Sequence, residues 1–269
     1  MKQFLSAILF MTICAAVPAL HAAAPTDDDL RKAAQNPMAD MISIPFQNNT
    51  NFGYGPLDNT QNITNIQPVI PFHLSENWLL ISRTVAPLVT QPEFYNGQGT
   101  EFGLGNITQS LFLGPSKPGK IIWGAGPVFL LPTATDSRLG GKKWGAGPAA
   151  VVLTMQGPWV AGGLVQNIWS FAGPGDEDDV NQMLAQYFIN YNLPNGWYLT
   201  SSPIITANWE EDSDNRWTVP LGGGFGRLFK IGQLPVNAQC QAFYNVEKPD
   251  VLGPDWTLRL QLQFLLPKW

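Results

Sequence analysis

Cysteine, histidine and charge are all scarce in this chain of 269 residues. Of two cysteines and two histidines, Cys14 and His21 fall in a stretch that reads as an export signal. Lys2 supplies a positive start, Phe4 to Leu20 an apolar core, and Ala22-Ala23-Ala24 small residues for cleavage, so residues 1–23 are assigned to a signal peptide. Cys240 is then the one cysteine, and no intramolecular disulfide can form even in an oxidising compartment. His73 is the one remaining histidine, which argues against a structural zinc site and leaves a catalytic histidine without a second one. No metal and no cofactor is expected. Asp, Glu, Lys and Arg make up 13% of the chain, against about 25% in soluble domains. Loss of Lys2 lowers the basic count from 15 to 14 against 20 acidic residues, a net charge of −6 that gives nucleic acid no purchase. Long apolar runs are missing too. Trp144 to Gly175 is free of charge, but Gly157-Pro158 divides it and Gln166-Asn167 would be costly in a lipid-facing helix, so helical membrane spans are excluded.

What is present is alternation. In Asp255 to Phe264, Trp256, Leu258, Leu260, Leu262 and Phe264 take one face of a period-two strand and Thr257, Arg259, Gln261 and Gln263 the other. Near the C-terminus of an exported chain, such a strand suits the closing strand of an outer-membrane barrel, apolar side to lipid and polar side to the lumen. From Ala39 on, short breakers at Ser75-Glu76-Asn77, Ser116 to Gly119, Gln156-Gly157-Pro158, Pro194-Asn195-Gly196 and Lys230-Ile231-Gly232 alternate with longer connections. The longer ones are Gly53–Asn59, Thr90–Thr100, Ala134–Lys142, Ala172–Asp179, Glu210–Asn215 and Glu247–Pro254. Short turns on one side and long loops on the other predict an all-β, antiparallel, up-and-down transmembrane barrel of about twelve strands over residues 39–269. A Greek-key sandwich has no reason to alternate in this way. Residues 24–38 are expected to be a periplasmic segment or plug, with a short helix from Asp27, capped by Thr26 and stopped before Pro37.

The tryptophans fall at strand ends. Trp78, Trp159 and Trp197 follow short turns, while Trp209, Trp217 and Trp256 flank long connections, as the two aromatic girdles of a membrane barrel require. Amides alternate with apolar residues in two further stretches. The expected lumen therefore carries Gln182, Gln186, Asn190, Gln239, Gln241, Phe243, Arg259, Gln261 and Gln263. Glycines at Gly124-Ala125-Gly126, Gly145-Ala146-Gly147 and Gly222-Gly223-Gly224 are expected to permit curvature or close approach of a plug.

Phe102-Gly103-Leu104-Gly105-Asn106-Ile107, Leu131-Pro132-Thr133-Ala134-Thr135, Asn190-Tyr191-Asn192-Leu193-Pro194 and Ser201-Ser202-Pro203-Ile204 carry a resemblance. With these stretches the chain resembles the bacterial outer-membrane barrel family labelled MetA-pathway of phenol degradation, whose members usually have Asp where Asn106 stands. The resemblance implies a Gram-negative outer-membrane barrel and passage of aromatic or other hydrophobic small molecules, with no catalytic residues. The expected partners are outer-membrane lipids, a small permeant, and the barrel-assembly machinery through the C-terminal strand. Two other classes compete. His73-Leu74-Ser75 has the His-x-Ser spacing of outer-membrane phospholipases, but Glu76-Asn77 stands where that family continues Asn-Gly. The acidic loops Asp176–Asp179 and Glu210–Asp212 suit a structural or adhesive barrel, or cation binding, though their spacing matches no calcium motif.

Overall fold

The structure, a computed structural model, describes residues 27–266. The signal peptide, the Thr26 cap and Trp269 lie outside them. One helix, α1 (Asp27–Ala34), precedes fifteen strand segments. These are β1 (Ile42–Tyr54), β2 (Asn59–Ile66), β3 (Val69–His73), β4 (Trp78–Gln91), β5 (Glu101–Leu104), β6 (Ile107–Pro115), β7 (Ile121–Leu131) and β8 (Trp144–Gln156). They continue as β9 (Trp159–Ala172), β10 (Asn181–Asn192), β11 (Trp197–Ser201), β12 (Ile204–Asn208), β13 (Trp217–Ile231), β14 (Leu234–Glu247) and β15 (Trp256–Leu266). Among the described residues no helix is long and apolar enough to cross a membrane.

Fifteen segments make twelve passes, because three passes are interrupted. Gln67-Pro68 separates β2 from β3, Gly105-Asn106 separates β5 from β6, and Ser202-Pro203 separates β11 from β12. Proline cannot donate to a ladder, so two of the breaks follow directly from sequence. At the third, Asn106 turns its amide to the neighbouring loop, donating to the Gly141 carbonyl at 2.8 Å and accepting from the Ala134 N–H at 3.1 Å. The first of these bonds needs the amide donor that a carboxylate lacks. All neighbours pair antiparallel, and the ring closes where β1 meets β15 in continuous register from Ile42↔Leu266 to Phe52↔Trp256. The fold is a closed twelve-strand antiparallel barrel, and closure removes the open edge that a flat sheet would expose.

Connections alternate as the sequence suggests, with one difference. The turn end holds short links such as Gly157-Pro158 and Gly232-Gln233, and the loop end holds residues 92–100, 132–143, 173–180, 209–216 and 248–255. The expected long connection at Gly53–Asn59 contracts to Gly55–Asp58. Gly55 and Asp58 take positive φ there, which tightens the turn.

Face assignment follows burial. In β15, Arg259, Gln263 and Leu265 are buried while Leu260 and Leu262 are each 48% exposed. Tryptophan opens six segments, β4, β8, β9, β11, β13 and β15. Trp78 and Trp123 meet edge to face, as do Trp209 and Trp217. The outer face is not uniformly apolar. Asn48, Thr50, Asn62 and Thr64 share the outward side of β1 and β2 with exposed Phe46 and Phe52, and satisfy one another by side-chain hydrogen bonds.

Candidate functional site

The interior has two unlike walls. One runs from β10 through β15 to β1 and β2 and is built from amides. Thr257 Oγ1 donates to Asn51 Oδ1, Asn51 Nδ2 to Gln61 Oε1, and Gln61 Nε2 to Gln91 Oε1, each at 2.8 Å. This ladder crosses four neighbouring strands, and the odd residues of each point inward in register. Nearer the turn end, Tyr198 donates its hydroxyl to Asn237 Oδ1 at 2.7 Å, and Asn237 Nδ2 donates to Gln263 Oε1 at 3.1 Å. Buried amides are tolerated where donor meets acceptor, and the ladder ends at Gln91, whose Nε2 has no partner.

The second wall, β4 and β6 to β9, is aliphatic. Leu79, Ile81, Phe112, Val128, Ala149, Val151, Leu164 and Ile168 form one buried cluster, with Val69, Leu184 and Phe188 packed against it. Polar groups interrupt this wall, Arg83, Ser110 and Gln166 among them. Arg83 lies directly across from Ser110, whose hydroxyl has no partner, and the Gln166 carbonyl oxygen is likewise without one.

The N-terminal segment crosses the turn end between these walls. Leu30 of α1 is buried against Leu228 and Leu265. Gln35 and Asn192 exchange two amide hydrogen bonds, at 2.9 and 3.2 Å. Met38 then reaches the aliphatic wall at Gly114 and Gly124, where an added Cβ would stand 2.9 and 2.6 Å from the Met38 Cε. Glycine at 124 makes room for the segment, while at 114 an added Cβ would also meet the Trp123 carbonyl of the neighbouring strand. The triplet Gly222-Gly223-Gly224 does something else: Cβ atoms at its ends would meet the Ala242 and Cys240 carbonyls, so those residues allow close strand approach.

Two chambers remain. The inner one, about 170 Å³, lies above residues 33–41 and is lined by Gln47, Gln67, Arg83, Leu164, Gln186, Phe188, Asn190, Gln239, Gln261 and Gln263 among others. The outer one, about 780 Å³, opens beneath the loops and is lined by Gln166, Ile168, Gln182, Leu184, Thr206, Glu211 and Arg216 among others. Along β9 and β10 the chambers are one rung apart, since Leu164 pairs with Gln186 and Gln166 with Leu184.

The residues singled out from sequence divide accordingly. Gln186, Asn190, Gln239, Gln261 and Gln263 border the inner chamber and Gln182 the outer. Gln241, Arg259 and Phe243 face inward but are built into the wall. Gln241 Nε2 donates to Gln239 Oε1 and Ser202 Oγ, Arg259 Nε donates to Asn49 Oδ1, and Arg259 covers the Phe243 ring at 4.8 Å. The Ser202 carbonyl, at the strand break before Pro203, accepts from Arg259 Nη1 at 2.7 Å and Gln186 Nε2 at 3.3 Å. Trp78, Trp159 and Trp197 stand at the turn end, facing out. Trp209, Trp217 and Trp256 stand at the loop end, where Trp217 is the least exposed. Sequence reasoning missed Arg83, Phe188, Leu164 and Met38. The strand around Arg83 has apolar residues on both faces, so period two gave no contrast there.

His73 and Ser75 have other tasks. His73 Nε2 lies 3.0 Å from Asp40 Oδ2, and the Ser75 hydroxyl accepts the Asn77 and Trp78 N–H groups as a turn cap. The acidic loop 173–180 ties to loop 132–143: Lys142 meets Glu177 at 2.9 Å and Lys143 meets Asp179 at 3.3 Å. The Lys142 hydrogen bond holds the Glu177 carboxyl below its ordinary range, while the Ser170 hydroxyl, then Lys143, does so for Asp179. Among the described residues no three His, Cys, Asp or Glu side chains converge as metal ligands.

Comparison with known proteins bears on the fold. No family model and no curated protein matches the sequence. Among solved structures, an outer membrane channel from Pseudomonas putida is similar over 84% of this chain and 95% of its own, at 18% identity and a TM-score of 0.63. Outer membrane phospholipase A from Escherichia coli matches 85% of this chain and 90% of its own at 13% identity and a TM-score of 0.44. The monoaromatic hydrocarbon channel CymD matches 88% and 92% at 9% identity and a TM-score of 0.46. At these identities the first shows a shared barrel fold, and the other two are too distant to add to it.

Proposed function

We propose that this chain is a Gram-negative outer-membrane channel for small hydrophobic or aromatic solutes, with no catalytic step. The observation that carries the reading is the bore: two chambers in line, each with an amide side and an aliphatic side. Amides offer donors and acceptors to passing water and solute, and the aliphatic side offers apolar contact. The turn end is closed by a short segment whose ties include the two Gln35–Asn192 amide hydrogen bonds, the Asp40–His73 pair and apolar packing of Leu30 and Met38, a closure that can open without unfolding the barrel. The outward tryptophans at both ends suit two headgroup levels, and the barrel shares its fold with a protein described as an outer membrane channel. The sequence resemblance to the phenol-degradation barrel family points to the same solute class. Hydrolysis of lipid is not proposed, because the Ser75 hydroxyl is committed to capping a turn. The test is reconstitution of the full chain, and of a chain lacking residues 27–38, in planar bilayers and liposomes. Conductance and entry of benzyl alcohol, both greater without the segment, are expected. Absence of both in the shortened chain sinks the proposal.

A further inference from the structure

The charge balance of the bore is one-sided. Within the fifteen strand segments the only carboxylates are Glu101 and Glu247, both at the loop end. Glu101 is already paired with Arg138. The basic residues of the strands are Arg83, Arg227, Lys230 and Arg259. Arg227 faces outward over the Trp197 ring, and Lys230 sits at the turn end. Arg83 and Arg259 face inward. Among the described residues neither meets a carboxylate: Arg83 donates to Gln67 Oε1 at 2.7 Å, and Arg259 donates to Asn49 and to the Ser202 carbonyl. Guanidinium stays protonated at neutral pH, so the bore carries two cations and no compensating anion at mid-height. A cation withdrawn from bulk water without a counter-charge is costly, and neutral amides offset only part of that cost.

The two arginines differ in availability. Arg259 is 5% exposed and locked over Phe243. Arg83 lines the inner chamber, between Ile81 and Val85 on its own strand and opposite Ser110 and Val69. It stands on the aliphatic wall and faces the amide wall. Leu164 and Phe188 border the same chamber.

We infer that the inner chamber is a binding site for a small amphipathic monoanion carrying a carboxylate. Arg83 takes the carboxylate, for which its planar fork offers two parallel N–H donors. Gln186 and Gln239 supply further amide donors at the rim, and Arg259 adds positive potential from behind. The hydrocarbon part lies against Leu164 and Phe188. A dianion or a sugar would leave polar groups against that aliphatic side, and a neutral hydrocarbon would leave Arg83 uncompensated. This inference rests on the bore being the solute path and adds the charge its solutes carry.

Benzoate and benzyl alcohol, alike in ring and unlike in charge, separate the possibilities. Calorimetric titration of the detergent-purified full chain is expected to show benzoate binding at least tenfold tighter than benzyl alcohol. Arg83→Gln should remove that preference, and Arg83→Lys should keep part of it. Heat-dependent gel mobility confirms that each variant is a folded barrel. In bilayers under a KCl gradient, the reversal potential should report anion preference, reduced severalfold in Arg83→Gln. Equal binding of the two probes, or benzoate binding unchanged in a folded Arg83→Gln barrel, overturns the inference. Those results leave the channel proposal standing, since benzyl alcohol entry tests it separately.

Discussion

The amide wall and the aliphatic wall meet the same bore by different physics. On the amide wall, side chains satisfy one another along rungs that link up to four strands, so the wall tolerates water. The aliphatic wall holds few hydrogen bonds and draws its stability from burial, including burial of Met38. Water is a neutral neighbour for the first and a cost for the second. The N-terminal segment uses both, bonding to the amide side through Gln35 and packing on the aliphatic side through Met38.

The largest expected effect contrasts the walls directly. Phe112→Ala removes a ring that is 2% exposed and should cost about 3–5 kcal/mol in chemical unfolding from detergent. Gln241→Ala on the opposite wall should cost about 1–3 kcal/mol, the cost of leaving its half-buried partners Ser202 and Gln239 without it. Equal losses would mean that the walls do not differ as described.

Arginine scanning sharpens the same point. On β15, Leu260→Arg faces outward and should cost about 2–4 kcal/mol near mid-membrane, while Gln261→Arg on the chamber side is tolerated. On β8, both Val152→Arg, outward, and Val151→Arg, inward, should be damaging, since that strand has no wet face. A tolerated Val151→Arg would show that water reaches behind the aliphatic wall.

Smaller effects belong to the closure and the loops. Asn192→Ala removes both bonds to Gln35, each worth about 0.5–1.5 kcal/mol. Single-channel records should then show a larger open fraction, by about tenfold for a change of about 1.4 kcal/mol. The loop contacts are pH-dependent. Glu177 and Asp179 titrate below their ordinary range, so the linkage they provide is complete above that range and is lost as pH falls through the lowered values. Spin-label distances between loops 132–143 and 173–180 should stay short at neutral pH and lengthen in acid. Lys142→Gln should weaken the link at neutral pH; unchanged distances would place the tether elsewhere.

Strands with one wet and one apolar face were legible from sequence, and they are β10, β14 and β15 of the amide wall. In β14 and β15, polar and apolar residues alternate over Val236–Ala242 and Leu258–Phe264, so both faces could be assigned. The aliphatic wall was not legible, because its strands are apolar on both faces. In Ala149-Ala150-Val151-Val152-Leu153 the inward and outward residues have the same chemistry, and period two leaves no trace. Arg83 was hidden for the same reason. Polarity on both faces hides a wall equally well: on β1, Gln47, Asn49 and Asn51 point in while Asn48 and Thr50 point out. The strand breaks at Pro68 and Pro203 trace to proline, but the main-chain carbonyl offered to Arg259 at the second depends on three strands meeting.

The meeting of β1 with β15 also dates the closure of the bore. That seam joins residues more than 200 positions apart, as Thr257 to Asn51 illustrates, so it is the slowest contact for a chain to find. Leu30 lies only a dozen residues before β1, and its pocket is made by Leu228 of β13 and Leu265 of β15. The helix can therefore bury its apolar side only when the first and last strands have come together. A barrel that stalls open leaves Leu30 in water, whereas the finished one buries it.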